Sequence, residues 1–213
     1  MISQKELDQL HESVPPDYYV AGVRKNVLQR VWHGRRKAVL KKVLTERGGR
    51  ILDLGCHGGY ISQYIHDITG SEVWGIDISR QAIQYGRKNF PQLHLRVGDI
   101  QKKTQFASKQ FEVITAFDVL EHVPKINNVI QEVRRLLKPE GYFVIGIPLE
   151  KKLLFRVAWN LWKKSRGQVW NDVHVHKFTI GGFKKIMNKN KFKEVKIWYS
   201  HARTYVILKY QKQ

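Results

Sequence analysis

Residues 51–60 read Ile-Leu-Asp-Leu-Gly-Cys-His-Gly-Gly-Tyr, an apolar run that ends in the carboxylate Asp53 and continues into a glycine-rich turn. Isoleucines at positions 61, 65 and 68 follow at the spacing of one helical face. Glycine at a strand-to-helix turn lets the main chain adopt left-handed torsions and lets a ligand come close to the backbone. The stretch therefore predicts a nucleotide-type pocket at the carboxyl edge of a parallel sheet.

The details of this turn indicate which kind of ligand the pocket takes. A dinucleotide fingerprint has a second glycine that leaves room for a pyrophosphate, and here that position is His57. The carboxylate of Asp53 would also repel a pyrophosphate, whereas it suits a ligand that carries a positive group. The loop therefore disfavours a nicotinamide oxidoreductase.

The turn resembles the first motif of the class I S-adenosylmethionine-dependent methyltransferases, in which an acidic residue precedes Gly-x-Gly-x-Gly. Gly55 and Gly59 match the first and third glycines of that motif, and His57 departs from the second. The cofactor that the resemblance implies is S-adenosylmethionine. The resemblance assigns the first part of a cofactor site to Asp53, Gly55, Cys56, His57, Gly59 and Tyr60.

Further segments follow in the order and at the spacing of that family. A second predicted strand, residues 73–77, ends in Asp77, where doubly wound folds place an acid that binds ribose hydroxyls. A third, residues 93–97, leads to Asp99, where the family has an acid for the adenine amino group and a neighbour that packs on the ring. The resemblance extends the predicted cofactor site to Asp77, Ile78, Asp99, Ile100 and Phe117.

A fourth predicted strand, residues 111–117, leads into Asp118-Val119-Leu120-Glu121-His122-Val123, and a fifth covers residues 142–147. The first of these connections and the Leu-Lys-Pro-x-Gly turn before the fifth strand are frequent in the small-molecule (methyltransferase type 11/23-like) branch of the family. His122 is the candidate general base, because an imidazole titrates in the required range. Asp118 would orient it or contact the cofactor through its backbone. A purely structural role for His122, as a cap or packing residue, stays open.

The resemblance implies a Rossmann-like, doubly wound α/β fold, with a seven-stranded, mostly parallel sheet and helices on both faces. Residues 192–199 and 205–210 read as the last two strands, joined by a short turn. In the resembled fold the final strand runs antiparallel into the sheet, as a short hairpin connection requires. We expect a single domain over residues 1–213. Its predicted parts are a basic N-terminal helical cover (1–46), a cofactor-binding core (47–148), an amphipathic insertion or lid (149–178), and a C-terminal helix with two strands (179–213).

The net charge of +20 is unevenly distributed along the chain. Residues 51–150 hold 11 basic and 11 acidic side chains, whereas residues 1–50 carry a net +6 and residues 151–213 a net +14. Positive flanks around a neutral core favour an anionic partner, such as a phosphorylated or carboxylated acceptor, an anionic membrane surface or RNA. No DNA partner is expected. A lysine-rich surface that only keeps the protein soluble is the other interpretation.

Aromatic and histidine side chains outside the core are the candidate acceptor contacts. In related enzymes the N-terminal segment packs over the cofactor, so Tyr18 and Tyr19 would border the pocket. His174 and His176 alternate in an extended stretch, near the place where the resembled branch has a histidine facing the acceptor. A two-histidine metal site is a rival interpretation, but no third ligand is evident at a supporting spacing, so no metal is expected.

Missing motifs narrow the acceptor. The fourth strand is not followed by the Asn/Asp-Pro-Pro-aromatic motif that methylates planar exocyclic nitrogens, and no cysteine follows it to support methylation of pyrimidine carbon-5. The expected activity is methyl transfer to an oxygen, nitrogen or carbon atom of a small-molecule or lipid-like acceptor. The alternatives are an RNA-directed methyltransferase or RNA-binding protein on the same fold, and a non-catalytic cofactor-binding scaffold.

No stretch is long and apolar enough to span a membrane, and the N-terminus lacks the apolar core of a secretory signal. A cytoplasmic protein is therefore expected. Residues 151–166 place lysine and arginine opposite Trp, Phe and Leu on a helical wheel. This pattern fits a helix that packs on its own domain, a lid over an apolar acceptor, or a helix in a membrane interface. The last of these would make the protein peripheral at a membrane.

Overall fold

A computed structural model of the protein describes residues 4–46, 48–149 and 174–213. The strands in these ranges are β1 (Arg50–Leu54), β2 (Glu72–Asp77), β3 (His94–Val97), β4 (Phe111–Phe117), β5 (Leu137–Pro148), β6 (Phe192–Ser200) and β7 (Tyr205–Lys212). They form one sheet in the order β3-β2-β1-β4-β5-β7-β6. β1 to β5 pair in parallel, and β7 pairs antiparallel with both β5 and β6. The predicted architecture is confirmed.

Helices flank both faces of this sheet. They are α1 (Gln4–Ser13), α2 (Tyr18–Lys25), α3 (Val27–Val43), α4 (Tyr60–Thr69), α5 (Arg80–Asn89), α6 (Ile126–Leu136) and α7 (Ile180–Lys189). Because side chains alternate along a strand, Ile51 of β1 packs in a buried cluster with α3, α4 and α5, and Leu52 in a second cluster with α6 and α7. The sheet is therefore buried on both faces, as a parallel sheet requires.

The N-terminal helices are divided at Asn26. Its side chain accepts hydrogen bonds from the backbone N–H groups of Leu28 (2.9 Å) and Gln29 (3.2 Å), so Asn26 is the N-cap of α3. From this cap, α3 continues through Gly34 without a break.

The C-terminal end of α3 is attached to the sheet by a buried lysine. Lys209 of β7, which is 6% exposed, donates to the carbonyl oxygen of Val43 (3.0 Å) and to Glu46 Oε1 (2.6 Å). A cation at this position satisfies a free carbonyl and complements the negative end of the helix dipole. The cover is therefore anchored to β7, the strand next to the edge strand β6.

The predicted amphipathic helix of residues 151–166 lies outside the described residues, and so does most of the predicted insertion at 149–178. None of the helices in the described ranges is long and apolar enough to cross a membrane.

Replacing Asn26 tests how much the N-cap of α3 contributes to the stability of the protein. Asn26→Ala is expected to lower the free energy of unfolding by about 1 kcal/mol, because two backbone N–H groups at the start of α3 lose their acceptor. Urea denaturation followed by circular dichroism measures the change. Asn26→Ser keeps a capping oxygen and should behave like the wild type. Equal loss in both variants would contradict the role of the cap.

Candidate functional site

A pocket lies at the carboxyl edge of the sheet, where β1, β2, β3 and β4 end. Seven of the residues predicted to bind the cofactor line it: Gly55, His57, Asp77, Ile78, Asp99, Ile100 and Phe117. The two predicted catalytic residues, Asp118 and His122, line the same pocket, as does Tyr19 from α2. No sequence motif assigned a site role to the other six residues of the wall, which are Val14, Ile76, Gly98, Gln101, Val119 and Val123.

The glycine turn after β1 approaches this wall closely. Gly55 has φ +65°, and a Cβ added there would lie 2.4 Å from a methyl group of Val119. Its N–H donates to the carbonyl oxygen of Ile76 (2.8 Å), which joins the turn to β2. No residue with a side chain fits this position without a shift of the wall, so the glycine is required by space as well as by torsion.

His57 occupies the place of the second glycine in a left-handed conformation, with φ 48°. Its N–H donates to Asp77 Oδ2 (2.8 Å), and its ring lies edge-on to Tyr19 at a centroid distance of 5.3 Å. Left-handed torsions are costly for a residue with a side chain. The hydrogen bond to Asp77 and the contact with the cover hold His57 there.

Two aspartates, one at the end of β2 and one just after β3, lie on the pocket wall. Asp77 accepts the N–H of His57 through Oδ2 and the N–H of Ser79 (2.9 Å) through Oδ1. Asp99 accepts the N–H of Gln101 (2.9 Å), and Lys102 Nζ lies 3.5 Å from its other oxygen. Main-chain donors thus orient both carboxylates beside the pocket, where polar ligand groups would meet them.

Asp53 lies behind the pocket wall and does not line the pocket. It is 3% exposed, and its two oxygens accept hydrogen bonds from the hydroxyls of Ser62 and Thr115, each at 2.6 Å. Burial raises the pKa of this carboxyl to about 6, although the two hydroxyls oppose the shift. Its contact with a positive ligand group stays a prediction.

The other predicted cofactor residues outside the lining also have local contacts. Gly59, with φ +81°, is the N-cap of α4, and Cys56 is buried against Gly75 of β2. Tyr60 packs against the cover, with Lys37 Nζ 4.2 Å from its ring centroid and the ring of His33 at 5.5 Å. These contacts support the turn, and a direct role in cofactor binding stays a prediction for all three.

An ion pair between a buried arginine and a half-buried aspartate joins the cover to the pocket. Arg36 of α3, only 2% exposed, pairs with Asp118, whose backbone is left-handed with φ 55°. Burial alone would lower the pKa of the guanidinium, but the charge of Asp118 outweighs it and the pKa is raised. Sequence reasoning missed Arg36, because the helical phase that distinguishes it from the exposed Arg35 follows from the packing of α3.

Beside Arg36, the inner side of the cover carries neutral aromatic and histidine side chains. Burial, followed by the charge of Arg36, lowers the pKa of His33 to about 3, so this ring is neutral at physiological pH. Tyr19 lies edge-on to His33 at 5.5 Å and to Tyr18 at 5.3 Å. Burial first, and then Asp118, raises the pKa of the Tyr19 hydroxyl. Of the two predicted tyrosines, only Tyr19 is part of the pocket lining.

His122 ends a short 3₁₀ turn after β4, and the chain at residues 174–176 packs on this turn. The rings of His122 and His174 lie 4.7 Å apart, and the carbonyl oxygen of Glu121 accepts the N–H groups of Val175 (2.8 Å) and His176 (3.0 Å). One donor atom each from Glu121, His122 and His174 lies within 4.8 Å of the others, a set that is able to hold a metal ion. The sequence showed no third ligand because Glu121 and His122 are far from His174 along the chain.

His176 has a different contact. A nitrogen of its ring, Nε2, lies 3.0 Å from the carbonyl oxygen of Val123. Neither His174 nor His176 belongs to the residues that line the pocket. Their predicted contact with an acceptor stays a prediction.

The chain is similar to known methyltransferases. A protein-family model for a methyltransferase domain matches residues 45–201. The ubiquinone biosynthesis O-methyltransferase of Actinobacillus pleuropneumoniae serotype 7 is 33% identical over 102 residues, which cover 44% of this chain and 43% of the relative. The enzyme of that name from Proteus mirabilis is 26% identical over 74% of this chain and 65% of its own length. The first of these matches therefore spans less than half of the relative.

Solved structures share the fold at lower identity. A methyltransferase of Haloferax volcanii, solved in complex with the Trm112 methyltransferase activator, superimposes with a TM-score of 0.75 at 15% identity and 97% coverage of both chains. A protein from Pyrococcus horikoshii gives a TM-score of 0.72 at 24% identity, over 89% of this chain and 93% of its own.

The raised pKa of Asp53 predicts a pH-dependent cost in stability. The folded state binds a proton more tightly than the unfolded state, so the wild type should lose stability relative to Asp53→Asn as the pH rises from about 4 to about 6. The difference in the free energy of unfolding should change by up to about 3 kcal/mol across this range and stay level above it. Urea denaturation from pH 4 to 8 measures it.

Asp67→Asn is the matched control for the Asp53 experiment. It removes the same charge from an exposed carboxylate on α4 that accepts a hydrogen bond from the amide of Gln63 (2.6 Å). Its difference from the wild type should vary little with pH. A flat difference for Asp53→Asn, or one of opposite sign, would contradict a buried carboxyl with a raised pKa.

Proposed function

We propose, from the premise that the chain belongs to the methyltransferase domain family, that it transfers a methyl group from S-adenosylmethionine to an oxygen of a small, partly apolar acceptor. The observation that carries this proposal is the shared pocket. Residues of the cofactor motifs and the candidate base His122 line one cavity, so a donor and an acceptor would meet there.

The described residues fit the cofactor that the family implies. Gly55 lines the pocket next to Val119, and the acids Asp77 and Asp99 line it as well. We assign Asp77 to the ribose hydroxyls, and Asp99 with Ile100 to the adenine. S-adenosylmethionine supplies an activated methyl group, so the protein mainly positions the acceptor and removes its proton.

Arg36 adds a donor that the motifs do not include. Its Nε is buried and has no hydrogen-bond partner among the described residues, next to the Asp118 wall of the pocket. A buried N–H of a guanidinium without an acceptor is costly. We assign this N–H to an anionic group of a bound ligand, for which the cofactor's carboxylate is one candidate.

The proposed acceptor follows from the chemistry of His122 and from the walls. His122 is 7% exposed and lines the pocket with the apolar side chains of Val119 and Val123. A phenolic hydroxyl, whose pKa is near the value of about 10 found for tyrosine, is an acid that an imidazole is able to deprotonate during transfer. The relatives named as ubiquinone biosynthesis O-methyltransferases support oxygen as the methylated atom. We therefore propose a phenolic, lipid-like acceptor.

Loss of the carboxylate at Asp77 tests the cofactor assignment. Asp77→Asn is expected to weaken binding of S-adenosylmethionine roughly ten- to a hundredfold, because a charged hydrogen bond to the ligand is lost. Isothermal titration calorimetry measures the affinity, with NADH as a ligand that should not bind. The Asp67→Asn protein should bind like the wild type. Unchanged affinity in Asp77→Asn, or binding of NADH, would contradict the assignment.

Replacing His122 tests the proposed base. His122→Gln is expected to lower kcat by roughly a hundredfold or more, because the acceptor proton loses its base, with no change in cofactor affinity. Mass spectrometry of methylated phenols with alkyl tails of different lengths measures the rate. His94→Gln, a change in an exposed histidine of β3 outside the pocket, is the matched control.

Two measurements distinguish a general base from a metal ligand at His122. Without a metal ion, a wild-type rate that falls at acidic pH and loses this dependence in His122→Gln supports a base. If added chelator abolishes transfer by the wild type, the set of Glu121, His122 and His174 would act through a metal ion and the base assignment would be wrong. A normal rate in His122→Gln would also overturn it.

A further inference from the structure

The surface of α2 and α3 carries positive charge that has no role in the proposed function. Residues 18–45 contain eight lysine and arginine residues and no aspartate or glutamate. Arg24, Lys25 and Arg35 are exposed, and none of them forms an ion pair with another residue that the structure describes. This surface therefore presents uncompensated positive charge to its surroundings.

Apolar side chains are exposed among these cations. At the start of α3, Leu28 is 71% exposed, Val27 66% and Val31 48%. Val27 and Val31 lie one helical turn apart with Leu28 beside them, so the three form a continuous patch. In the ranges that the structure describes, the other large hydrophobic residues with such exposure are scattered: Val97, Val175, Val195 and Tyr199.

The patch belongs to a well-packed part of the cover. The Asn26 cap fixes the start of α3, and the guanidinium of Arg30 donates to the carbonyl oxygens of Val23 (3.2 Å) and Arg24 (3.0 Å) at the end of α2. Gly22 and Gln29 are both buried where the two helices meet. The exposure of Leu28 is therefore not explained by a frayed helix end.

We infer that this basic-apolar face (Arg24, Lys25, Val27, Leu28, Val31 and Arg35) docks on a membrane surface rich in anionic phospholipid. Lysine and arginine beside exposed aliphatic residues, with no acid among them, are typical of a helix that lies in a membrane interface. Anionic headgroups attract the cations, and the aliphatic side chains leave water by entering the boundary of the acyl chains.

Charge and side-chain type favour a lipid surface over two other partners. A second copy of the chain that paired through this face would bring the same cations against each other. Single-stranded RNA attracts cations, but its bases stack on aromatic rings, and the apolar part of this face is aliphatic. An anionic bilayer satisfies both the charges and the aliphatic side chains.

Docking of this face would bring the cover of the pocket to the bilayer. Tyr19 of α2 lines the pocket, as does Val14, which immediately follows α1 and precedes α2. An acceptor with an alkyl tail would then pass from the membrane to the pocket with less of its apolar surface in water. That consequence rests on the proposed function, whereas the docking itself does not.

Vesicle co-sedimentation of the full chain tests the docking without cofactor or acceptor. The wild type is expected to bind vesicles of phosphatidylcholine with phosphatidylglycerol, to bind phosphatidylcholine alone much less, and to be released by salt. The triple variant Val27→Gln, Leu28→Gln, Val31→Gln keeps residues of good helix propensity. It should bind the anionic vesicles roughly tenfold more weakly.

The controls separate loss of docking from loss of fold. Val195→Gln changes a valine that is 49% exposed on β6 and should bind vesicles like the wild type. Circular dichroism should show equal helix content in the wild type and the triple variant. Unchanged vesicle binding by the triple variant would overturn the inference. So would preferential binding of a single-stranded RNA, or self-association of the wild type that the three changes abolish.

Methyl transfer to a water-soluble phenol, measured on the same samples, distinguishes the two proposals. The wild type and the triple variant should transfer at the same rate, because the three residues do not line the pocket. Transfer without vesicle binding by the wild type would contradict the docking alone. Vesicle binding without transfer to any phenol would contradict the proposed function alone.

Discussion

The ion pair between Arg36 and Asp118 connects the helical cover to the edge of the sheet at which the pocket lies. Removing Asp118 would leave the charge of Arg36, which is only 2% exposed, without its partner, and such a loss typically costs about 3–5 kcal/mol. Removing Arg36 should cost less, because the side chain of Asp118 is 29% exposed. At this contact the backbone of Asp118 has a left-handed conformation. Because α3 carries Arg36 and the turn after β4 carries both Asp118 and His122, this one contact links the cover, the pocket wall and the candidate base.

The three aspartates at the carboxyl edge of the sheet differ in how deeply they are buried, and their contacts differ with them. Asp77 and Asp99 line the pocket, where main-chain N–H groups orient them toward a ligand. Asp53 is buried behind the wall, where Ser62 and Thr115 accommodate a carboxyl with a raised pKa. The same strand-end position thus places a carboxylate on the pocket wall in two loops and behind the wall in the third.

The cover has two differently built sides. Its inner side holds Tyr19, His33 and Arg36 against the pocket and the sheet. Its outer side exposes aliphatic residues and cations that form no ion pair within residues 4–46, 48–149 and 174–213. A protein with no partner at this face would gain little by keeping such a surface. Membrane docking would give the outer side a function and bring it together with the pocket that the inner side closes.

The seven strands, the glycine turn and most of the residues on the pocket wall could be predicted from the sequence alone, because strand patterns and motif spacings are local and the carboxyl ends of parallel strands meet at one edge. The short connection between β6 and β7 predicted that these two strands pair antiparallel, and the resembled fold implied that β7 is also antiparallel to β5. Only the tertiary structure decided that Asp53 lies behind the wall, that Arg36 pairs with Asp118, and that His174 meets Glu121 and His122. These contacts join residues far apart in the chain, and they depend on helix phase and loop path, which no local pattern of residues specifies.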